Sequence, residues 1–339
     1  MGSRRNFRRL IFLFLPWITL TLLLPLGNVG AILKNKQDIE NLNLFIKPLK
    51  ESCNTGLLIK NLKHHSSYPR FGSVKSWKNF CVRLNSSKDP KDFLLRNLDA
   101  KIFSYETGLL TGYYEPLVHI SYDKDSLYKY PILKKSEHLM IPRRKILTSY
   151  KKKDVIGWAK NDINLFFLQI QGSGIGLLKS GDMIKISYAG NNGYKYSSIG
   201  KYLIKKSFLT KEDISADKIK KWLKENKKKR NEVFSQNRRY IFFKFEKFDK
   251  SYPKGAGGIA LTPKISIAVD NKIYPYGIPV LTQTNKKKYN LLLITHDTGS
   301  AIKGPNRGDL FVGRGEKAGS EAGKLIEKLK LYYLTPKNE

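Results

Sequence analysis

The sequence predicts a mainly β protein that begins with a group of helices and has a second helical segment in its middle. Three observations support this prediction. Apolar residues recur at helical spacing between residues 38 and 98. After Glu106 the chain alternates and is rich in β-branched and aromatic residues. Gly, Pro and Asn-Gly turns interrupt this region every few residues, and many short strands with tight turns are typical of a barrel or a sandwich.

The composition is that of a globular protein with a strongly basic surface. A chain of 339 residues with 41% hydrophobic residues can form a sizeable core. Lys and Arg together number 63 against 28 Asp and Glu, which gives a formal charge of +35. This charge would attract nucleic acid, anionic lipid or an acidic polymer, and it does not choose among them.

Residues 1–31 have the pattern of a secretory signal peptide. Four arginines precede an apolar run from Leu10 to Leu26, and Val29-Gly30-Ala31 offers small residues for cleavage. The run contains two prolines and is short for a membrane span of about 20 residues, so an uncleaved anchor is the alternative. No cysteine for lipid attachment precedes Cys53. We expect an exported, periplasmic protein with no nucleic-acid partner, and one that associates with the membrane if this segment is retained.

The two cysteines fit an exported protein. An even number permits a disulfide between Cys53 and Cys81, and two buried thiols are the alternative. The five histidines show no spacing typical of metal ligands. We therefore expect no metal.

The first half of the chain is assigned as follows. Helices are predicted in IENLNLFIKPLKESC and in DFLLRNLDAKIF, with a loop between them. Strands follow in TGLLTGYYEPLVHISY, FFLQIQ and DMIKISYAGNNGYKY. The FFLQIQ strand would end in a hairpin turn and place Gln169 and Gln171 on one face.

The second half alternates between the two element types. Ile199 to Phe234 is predicted to be helical, with Ile219, Trp222 and Leu223 as its apolar stripe and a lysine run on its solvated face. Strands return in RRYIFFKF, GIALTPKISIAVD, YPYGIPVLTQ and NLLLITHD. A short helix in AGSEAGKLIEKLK and a final strand in LYYLTP complete the prediction.

The stretch THDTGSAIKGPNRGDLFVG places Asp297 at the end of one strand and Asp309 at the head of the next, joined by a Gly/Pro loop. A loop that returns the chain would bring the carboxylates near each other, and burial beside a like charge would raise one pKa, as a general acid requires. Lys303 and Arg307 could hold Asp297 ionised while Asp309 keeps its proton. The alternative is that both aspartates cap turns.

Two other motifs are incomplete and do not predict a function. Asp297-Thr298-Gly299 has the form of an aspartic protease motif, but that chemistry needs a second Asp-Thr-Gly or Asp-Ser-Gly, and the chain has none. The glycine run from Gly172 to Gly176 is followed by Leu177 where a dinucleotide fingerprint needs glycine.

Several blocks resemble a known family. GIALTPKISIAVDNKIYPYGIPV and LLLITHDTGSAIKGPNRGDLFVGRGEKAG resemble the C-terminal "3D" domain, named for three aspartates, here Asp270, Asp297 and Asp309. LLTGYYEP, FFLQIQGSGIGLL and ISYAGNNGYKYSSIGKYLI are similar to the insert domain of the membrane-bound lytic murein transglycosylase A family. The blocks follow the family's order over most of residues 105–335. Ser300 stands where the family usually has glycine.

The resemblance implies a double-psi (barwin-like) β-barrel formed by residues 32–111 and 245–339. A second, smaller β-barrel, residues 112–244, would interrupt it, with a groove for a peptidoglycan glycan strand between the two domains. The implied activity is cleavage of the β-1,4 bond between N-acetylmuramic acid and N-acetylglucosamine, leaving a 1,6-anhydro end and using no cofactor. We expect a monomer. A hydrolase on the same fold and a non-catalytic wall-binding protein are the alternatives.

The resemblance also implies roles for particular residues. Asp309 would be the single general acid and base and Asp297 a supporting group, although the sequence offers no physical reason to prefer one over the other. Asp270 is expected to be structural, and Glu106 and Glu115 are alternative acids. Residues expected to bind the glycan in the groove are Thr111, Tyr113, Gln169, Gln171, Gly172, Ser173, Asn191 and Lys303.

Overall fold

The computed structural model describes residues 36–65, 70–210 and 214–337. The predicted signal segment, residues 1–31, lies outside these ranges. No helix within them is both long enough and apolar enough to cross a membrane.

Four helices form the N-terminal part: α1 (Lys36–Asn54), α2 (Leu57–His64), α3 (Val74–Ser86) and α4 (Pro90–Asn97). Helix α3 begins where the Ser73 side chain accepts a hydrogen bond from the Ser76 amide (3.0 Å), a favoured arrangement at a helix start. A disulfide between Cys53 and Cys81 joins the end of α1 to α3. The helices pack against the barrel described next, and large buried side chains such as Trp77 and Phe45 belong to the same core as the barrel strands.

A closed six-stranded barrel forms the first β domain. Its strands are β2 (Gly108–Glu115), β9 (Ser266–Ala268), β10 (Pro279–Thr284), β11 (Leu292–Asp297), β12 (Arg307–Arg314) and β13 (Ile326–Pro336). They pair in the order β13-β10-β11-β9-β12-β2, and β2 pairs with β13 to close the ring. Strand β1 (Leu98–Ile102) extends the sheet beside β13, and helix α10 (Gly315–Lys324) connects β12 to β13. Closure leaves the barrel strands no free edge.

The second β domain is a six-stranded sheet in the order β4-β5-β3-β6-β7-β8. Its strands are β3 (Leu117–Ser121), β4 (Tyr130–Leu133), β5 (Val155–Ala159), β6 (Gly174–Leu177), β7 (Met183–Asn191) and β8 (Ile241–Lys247). Five helices belong to this part of the chain: α5 (Arg143–Ser149), α6 (Asp162–Gln171), α7 (Ile199–Lys205), α8 (Ala216–Glu225) and α9 (Arg230–Gln236). The predicted mainly β fold, with N-terminal helices, a closed barrel and a second β domain, is confirmed. The second domain was expected to be a smaller barrel, but in the described residues its end strands β4 and β8 do not pair with each other, so its sheet is open.

An ion pair marks the place where the chain passes between the two sheets. The first crossing lies between Glu115 at the end of β2 and Leu117 at the start of β3. Glu115 is 2% exposed, and its carboxylate accepts a hydrogen bond from Arg314 Nε at 2.5 Å. Arg314 also donates to the carbonyls of Lys250 and Ser251, on the segment that returns from β8. One guanidinium therefore ties both crossings to the end of β12.

The predicted FFLQIQ strand is wrong, because these residues lie in helix α6. The Asn161 side chain accepts a hydrogen bond from the Asn164 amide at the start of this helix, and Gly172, with φ of 88°, ends it. The helix is buried on nearly all sides, so it lacks the polar face by which an amphipathic helix is recognised. A short apolar run of this kind cannot be assigned by periodicity alone, and the capping residues were the informative signal.

Two predicted helices are too long at their C-terminal ends. DAKIF was assigned to a helix, but α4 ends at Asn97 and Leu98–Ile102 pairs with β13 as a strand. LIEKLK was also assigned to a helix, but α10 ends at Lys324 and β13 already begins at Ile326. Both segments pair with distant strands, and this tertiary contact overrides their weak local preference for helix.

Candidate functional site

The two aspartates of the Gly/Pro loop lie on either side of one short strand. In the barrel, Ala268 of β9 is paired with Asp297 of β11 on one side and with Asp309 of β12 on the other. Two strand spacings of about 4.8 Å separate their backbones by roughly 10 Å. The expectation that the loop returns the chain and brings the carboxylates together is therefore confirmed at the level of the strands.

Asp309 is half-buried and has few hydrogen-bond donors around it. Its Oδ1 accepts a hydrogen bond from Thr111 Oγ1 at 2.6 Å, and Thr111 is the residue paired with it on β2. Thr111 Oγ1 in turn accepts a hydrogen bond from Arg307 Nη2 at 2.8 Å. Burial raises the pKa of Asp309 to about 6, with a smaller upward contribution from the charge of Asp297. The Thr111 hydrogen bond and the Arg307 charge oppose this shift without cancelling it.

Asp297 is also half-buried, but three donors reach its carboxylate. Tyr113 Oη donates to Oδ2 at 2.8 Å, and the amides of Ala256 and Thr298 each donate to Oδ1 at 2.9 Å. Burial raises the pKa of Asp297, and these three hydrogen bonds act in the opposite direction. Burial and the neighbouring aspartates hold the pKa of Tyr113 well above its usual range, so its hydroxyl remains a donor at neutral pH.

The proposal that Lys303 and Arg307 hold Asp297 ionised is wrong in its partners. Lys303 Nζ pairs with Asp270 at 3.3 Å and is otherwise exposed. Arg307 acts on Asp309 instead, through Thr111. The donors of Asp297 are a tyrosine and two backbone amides, which the local sequence around the loop does not reveal.

Asp270 anchors the loop between the two aspartate strands. Its carboxylate accepts hydrogen bonds from the amides of Gly304 (3.0 Å) and Lys272 (3.2 Å), in addition to the ion pair with Lys303. Burial raises its pKa, but these partners outweigh burial and the net pKa is lowered. Asp270 thus has the surroundings expected of a structural carboxylate.

A buried, neutral histidine links the strand that carries Asp297 to its neighbours. His296, next to Asp297, is fully buried, and its two ring nitrogens lie 2.9 Å from the hydroxyls of Ser52 and Ser266. Burial lowers its pKa to about 4, so the ring carries no charge at neutral pH. Because Ser52 belongs to α1, this contact joins the N-terminal helices to the strand that carries Asp297.

Residues of the second domain lie across from Asp309 and form the other side of a cleft. The Tyr114 amide on β2 donates to Gln171 Oε1 at 3.0 Å, which places the end of α6, with Gly172 and Ser173 next to it, beside the barrel strand. Burial raises the pKa of Tyr196, on the segment after β7, and a hydrogen bond with Ser198 opposes it. The Asp309 charge makes the smallest contribution, also upward, and this identifies Tyr196 as a neighbour of that carboxylate. A cleft between the two domains thus has Asp309 on its barrel side.

Three predicted groove residues lie elsewhere. Gln169 is 5% exposed and accepts a hydrogen bond from the buried Arg143, inside the second domain. Asn191 donates to Tyr188 and accepts from Arg239, also within that domain. Lys303 points its charge at Asp270, as described above. The structure brings together Thr111, Tyr113, Gln171, Asp297 and Asp309, with Gly172 and Ser173 adjacent.

The alternative acids have other partners. Glu115 is buried in its pair with Arg314, and Glu106 is exposed, with its backbone carbonyl accepting from Asn306. Within residues 36–65, 70–210 and 214–337 there is no group of three or more His, Cys, Asp or Glu that could hold a metal ion.

Sequence reasoning missed three groups at the site: Tyr196, Tyr276 and the Ala256 amide. Burial and the charge of Asp297 raise the pKa of Tyr276, which identifies it as a neighbour of that carboxylate. Tyr276 follows the turn after β9, and Tyr196 follows Asn191-Asn192-Gly193. Tyrosine next to a turn was the only available signal, and 19 tyrosines in the chain make it a weak one.

Both β domains match models of known domain families. Residues 135–244 match the model of the MltA specific insert domain, and residues 265–335 match that of the 3D domain. The chain is 35% identical over 230 residues to membrane-bound lytic murein transglycosylase A of Vibrio cholerae, covering 63% of this chain and 62% of that protein. It is 35% identical over 254 residues to a homolog of that enzyme in Buchnera aphidicola, covering 69% and 66%. The alignments thus span just under two thirds of these relatives.

Solved structures show the same fold. A membrane-bound lytic murein transglycosylase from Agrobacterium tumefaciens superposes with a TM-score of 0.75 at 25% identity, covering 86% of this chain and 93% of that one. MltA from Neisseria gonorrhoeae gives 0.68 at 26% identity, covering 87% and 89%. Escherichia coli MltA with bound chitohexaose gives 0.66 at 24% identity, covering 84% and 90%.

Proposed function

Because the chain belongs to the membrane-bound lytic murein transglycosylase A family, we propose that it is a peptidoglycan lytic transglycosylase of the cell envelope. Its substrate is the glycan strand, and the bond cleaved is the β-1,4 bond between N-acetylmuramic acid and N-acetylglucosamine. The observation that carries this proposal is the environment of Asp309, whose pKa is raised to about 6 at the edge of an interdomain cleft.

The proposed first step is protonation of the bridging oxygen by Asp309. A carboxyl with a pKa near 6 keeps an appreciable protonated fraction close to neutral pH and is acidic enough to transfer the proton. The bond between C1 of the muramic acid and this oxygen breaks, and its electron pair stays on the oxygen, which leaves as the hydroxyl of the next sugar. Positive charge develops at C1 and the ring oxygen.

Asp297 stabilises that developing charge. Its hydrogen bonds from Tyr113 and from the amides of Ala256 and Thr298 favour the carboxylate form over the neutral form. A fixed negative charge that is already oriented costs no reorganisation when the positive charge appears.

The second step closes the sugar on itself. The C6 hydroxyl of the muramic acid attacks C1, and its proton passes to the Asp309 carboxylate, which restores the starting acid. No water is consumed, so the two products together have the mass of the substrate. An ordinary glycosidase needs a second carboxylate as nucleophile or as base for water, whereas here the nucleophile belongs to the substrate.

Digestion of purified peptidoglycan tests both the reaction and the role of Asp309. We expect the wild-type protein to release anhydro-muropeptides, identified by mass spectrometry. Asp309→Asn should lower the rate by at least about 100-fold, the lower range for loss of general acid catalysis. Release of products that each carry an added water would identify a hydrolase instead, and wild-type activity in Asp309→Asn would remove the assignment.

Export through the N-terminal segment is proposed together with this function, since the substrate lies outside the cytoplasm. The disulfide between Cys53 and Cys81 supports an oxidising compartment. Secretion of a reporter fused to residues 1–40, and its loss when the four leading arginines are changed to glutamate, would test export.

A further inference from the structure

A second pocket lies between the two domains, next to Asp309. It has a volume of about 290 Å³, close to the lower end of the range of about 300–1,000 Å³ for small-molecule sites. Strands β2 and β13 with helix α10 line it on the barrel side, and α7 and α8 line it on the side of the second domain. The proposed reaction at Asp309 does not use it.

The pocket is continuous with the reacting centre through one residue. Thr111 lines the pocket and also donates to Asp309 Oδ1. On β2, Thr111 is paired with Asp309 on one side and with Ile326 of β13 on the other. Ile326 therefore lies about two strand spacings, roughly 10 Å, from Asp309 along the same row of the barrel.

The lining is mainly apolar. Ile204, Ile214 and Ile219 contribute from the second domain, and Leu325 and Ile326 from the barrel. Ile326 is 56% exposed although it flanks the row that holds the catalytic carboxyl. Ser198 and Lys201 add a hydroxyl and an ammonium group to the lining. A ligand that combines small apolar groups with a negative charge would complement this surface.

We propose that this pocket binds the lactyl-peptide stem of the muramic acid whose bond is cleaved. The inference rests on the proposed function. Muramic acid carries a lactyl ether on O3, so the stem leaves the sugar within one ring width of the bond that Asp309 protonates. The lactyl methyl and the alanine methyl that follows are small and apolar, and the next residue of the stem bears a free carboxylate. These groups match the isoleucines and the ammonium group of Lys201 in the lining.

The position of the pocket would also let the bound stem orient the sugar ring for cleavage. An extended peptide advances about 3.5 Å per residue, so the lactyl group and the first two residues span the distance from the row of Asp309 to beyond Ile326. Binding on both domains at once would hold the sugar ring against Thr111 and Asp309, which converts binding energy into orientation.

The test compares two substrates. One is uncrosslinked glycan strands with intact stems, and the other is the same strands after an amidase has removed the stems. The amidase leaves the lactyl ether on the sugar, so the two substrates differ only from the alanine onward. We expect the wild-type kcat/KM to be roughly fourfold higher on stem-bearing strands, the order given by burying the alanine methyl group. In Ile326→Asp the ratio of the two kcat/KM values should fall to about one. Lys201→Glu, on an exposed helix position, should lower the ratio in the same way and provides a second variant if Ile326→Asp folds poorly.

Met183→Asp is the matched control. Met183 is an apolar strand residue with 43% exposure that does not line the pocket, so its ratio should equal that of the wild type. Equal kcat/KM of the wild type on both substrates, or an unchanged ratio in both pocket variants, would overturn the stem site while leaving the proposed reaction intact. Failure of the wild type to cleave either substrate would instead count against the proposed function.

Discussion

Asp309→Asn should make the protein more stable at alkaline pH although it removes the proposed acid. Burial raises the pKa of this carboxyl from 3.8 to about 6. Below the lower value the group is neutral in both the folded and the unfolded chain, and the substitution has little effect. As the pH rises from 3.8 to about 6, the unfolded chain loses this proton while the folded protein keeps it, because ionisation of the buried group is costly. The wild type loses stability in this window, and the asparagine variant does not.

The size of the effect follows from the shift. A change of about two pKa units at about 1.4 kcal/mol each gives an upper value of about 3 kcal/mol. Because the side chain is half-buried and solvent screens its charge, we expect about 1–2 kcal/mol at about pH 8. The asparagine Oδ1 can still accept the hydrogen bond from Thr111, so the substitution changes charge more than contacts.

Urea unfolding followed by circular dichroism at about pH 4 and about pH 8 measures the difference through the midpoint and slope of the transition. Asp270→Asn is the control, because its effect on the free energy of unfolding should have the opposite sign. Its pKa is lowered in the folded state, so its charge stabilises the protein above its ordinary pKa, and that contribution is lost as the pH falls. Asp270→Asn should therefore be destabilising at about pH 8. Destabilisation by Asp309→Asn at that pH, or an effect of equal size at both pH values, would refute the reasoning.

Three further substitutions test other contacts. Tyr113→Phe removes one of the hydrogen-bond donors to Asp297, so the pKa of Asp297 rises and less negative charge faces the reacting sugar. In peptidoglycan digestion, kcat should therefore fall by about tenfold to a hundredfold. Cys53→Ser opens a bridge across 28 residues and should lower the free energy of unfolding by about 3–4 kcal/mol, measured in urea. Arg314→Met leaves Glu115, which is 2% exposed, without its cationic partner and should cost about 3 kcal/mol in the same assay.

Each of these has a control in the same chain. Tyr105→Phe alters a tyrosine that is 66% exposed and should leave kcat unchanged. The wild type in reductant should unfold like Cys53→Ser, and a difference of more than about 1 kcal/mol between them would show that the serine acts by something other than opening the bridge. Asp92→Asn breaks an exposed helix pair with Arg96 and should cost less than about 1 kcal/mol, and the larger loss expected in Arg314→Met is judged against it.

The sequence predicted the parts of the site that are local. The apolar run before Asp297 and the Gly/Pro loop after it were sufficient to place both aspartates on strands joined by a returning loop, and β11 and β12 confirm this. Helix α6 was missed because its apolar residues surround the helix, and periodicity then gives no face.

The donors to the carboxylates could not be predicted in the same way. Thr111 is 198 residues from Asp309 and Tyr113 is 184 residues from Asp297. Their contacts depend on the pairing of β2 with β12 within a closed barrel, and a shift of one residue would turn both side chains to the other face. Only the resemblance to a family connected these segments beforehand. Gln169 and Asn191 were assigned to the groove by that resemblance and lie inside the second domain.

The barrel explains why two aspartates on opposite sides of β9 differ in how many hydrogen-bond donors reach their carboxylates. Asp309 is the third residue of β12, which pairs with β2 and β9 on its two sides, so the backbone amides around it are used in the sheet and a side-chain hydroxyl is what reaches its carboxylate. Asp297 is the last residue of β11, and two backbone amides beyond the ladder donate to it. Donors favour the charged form, so the strand position makes Asp297 the better carboxylate and Asp309 the better acid. A physical basis for choosing Asp309 thus comes from the place of each residue in its strand, and Asp297 should not take over as the acid when Asp309 is replaced.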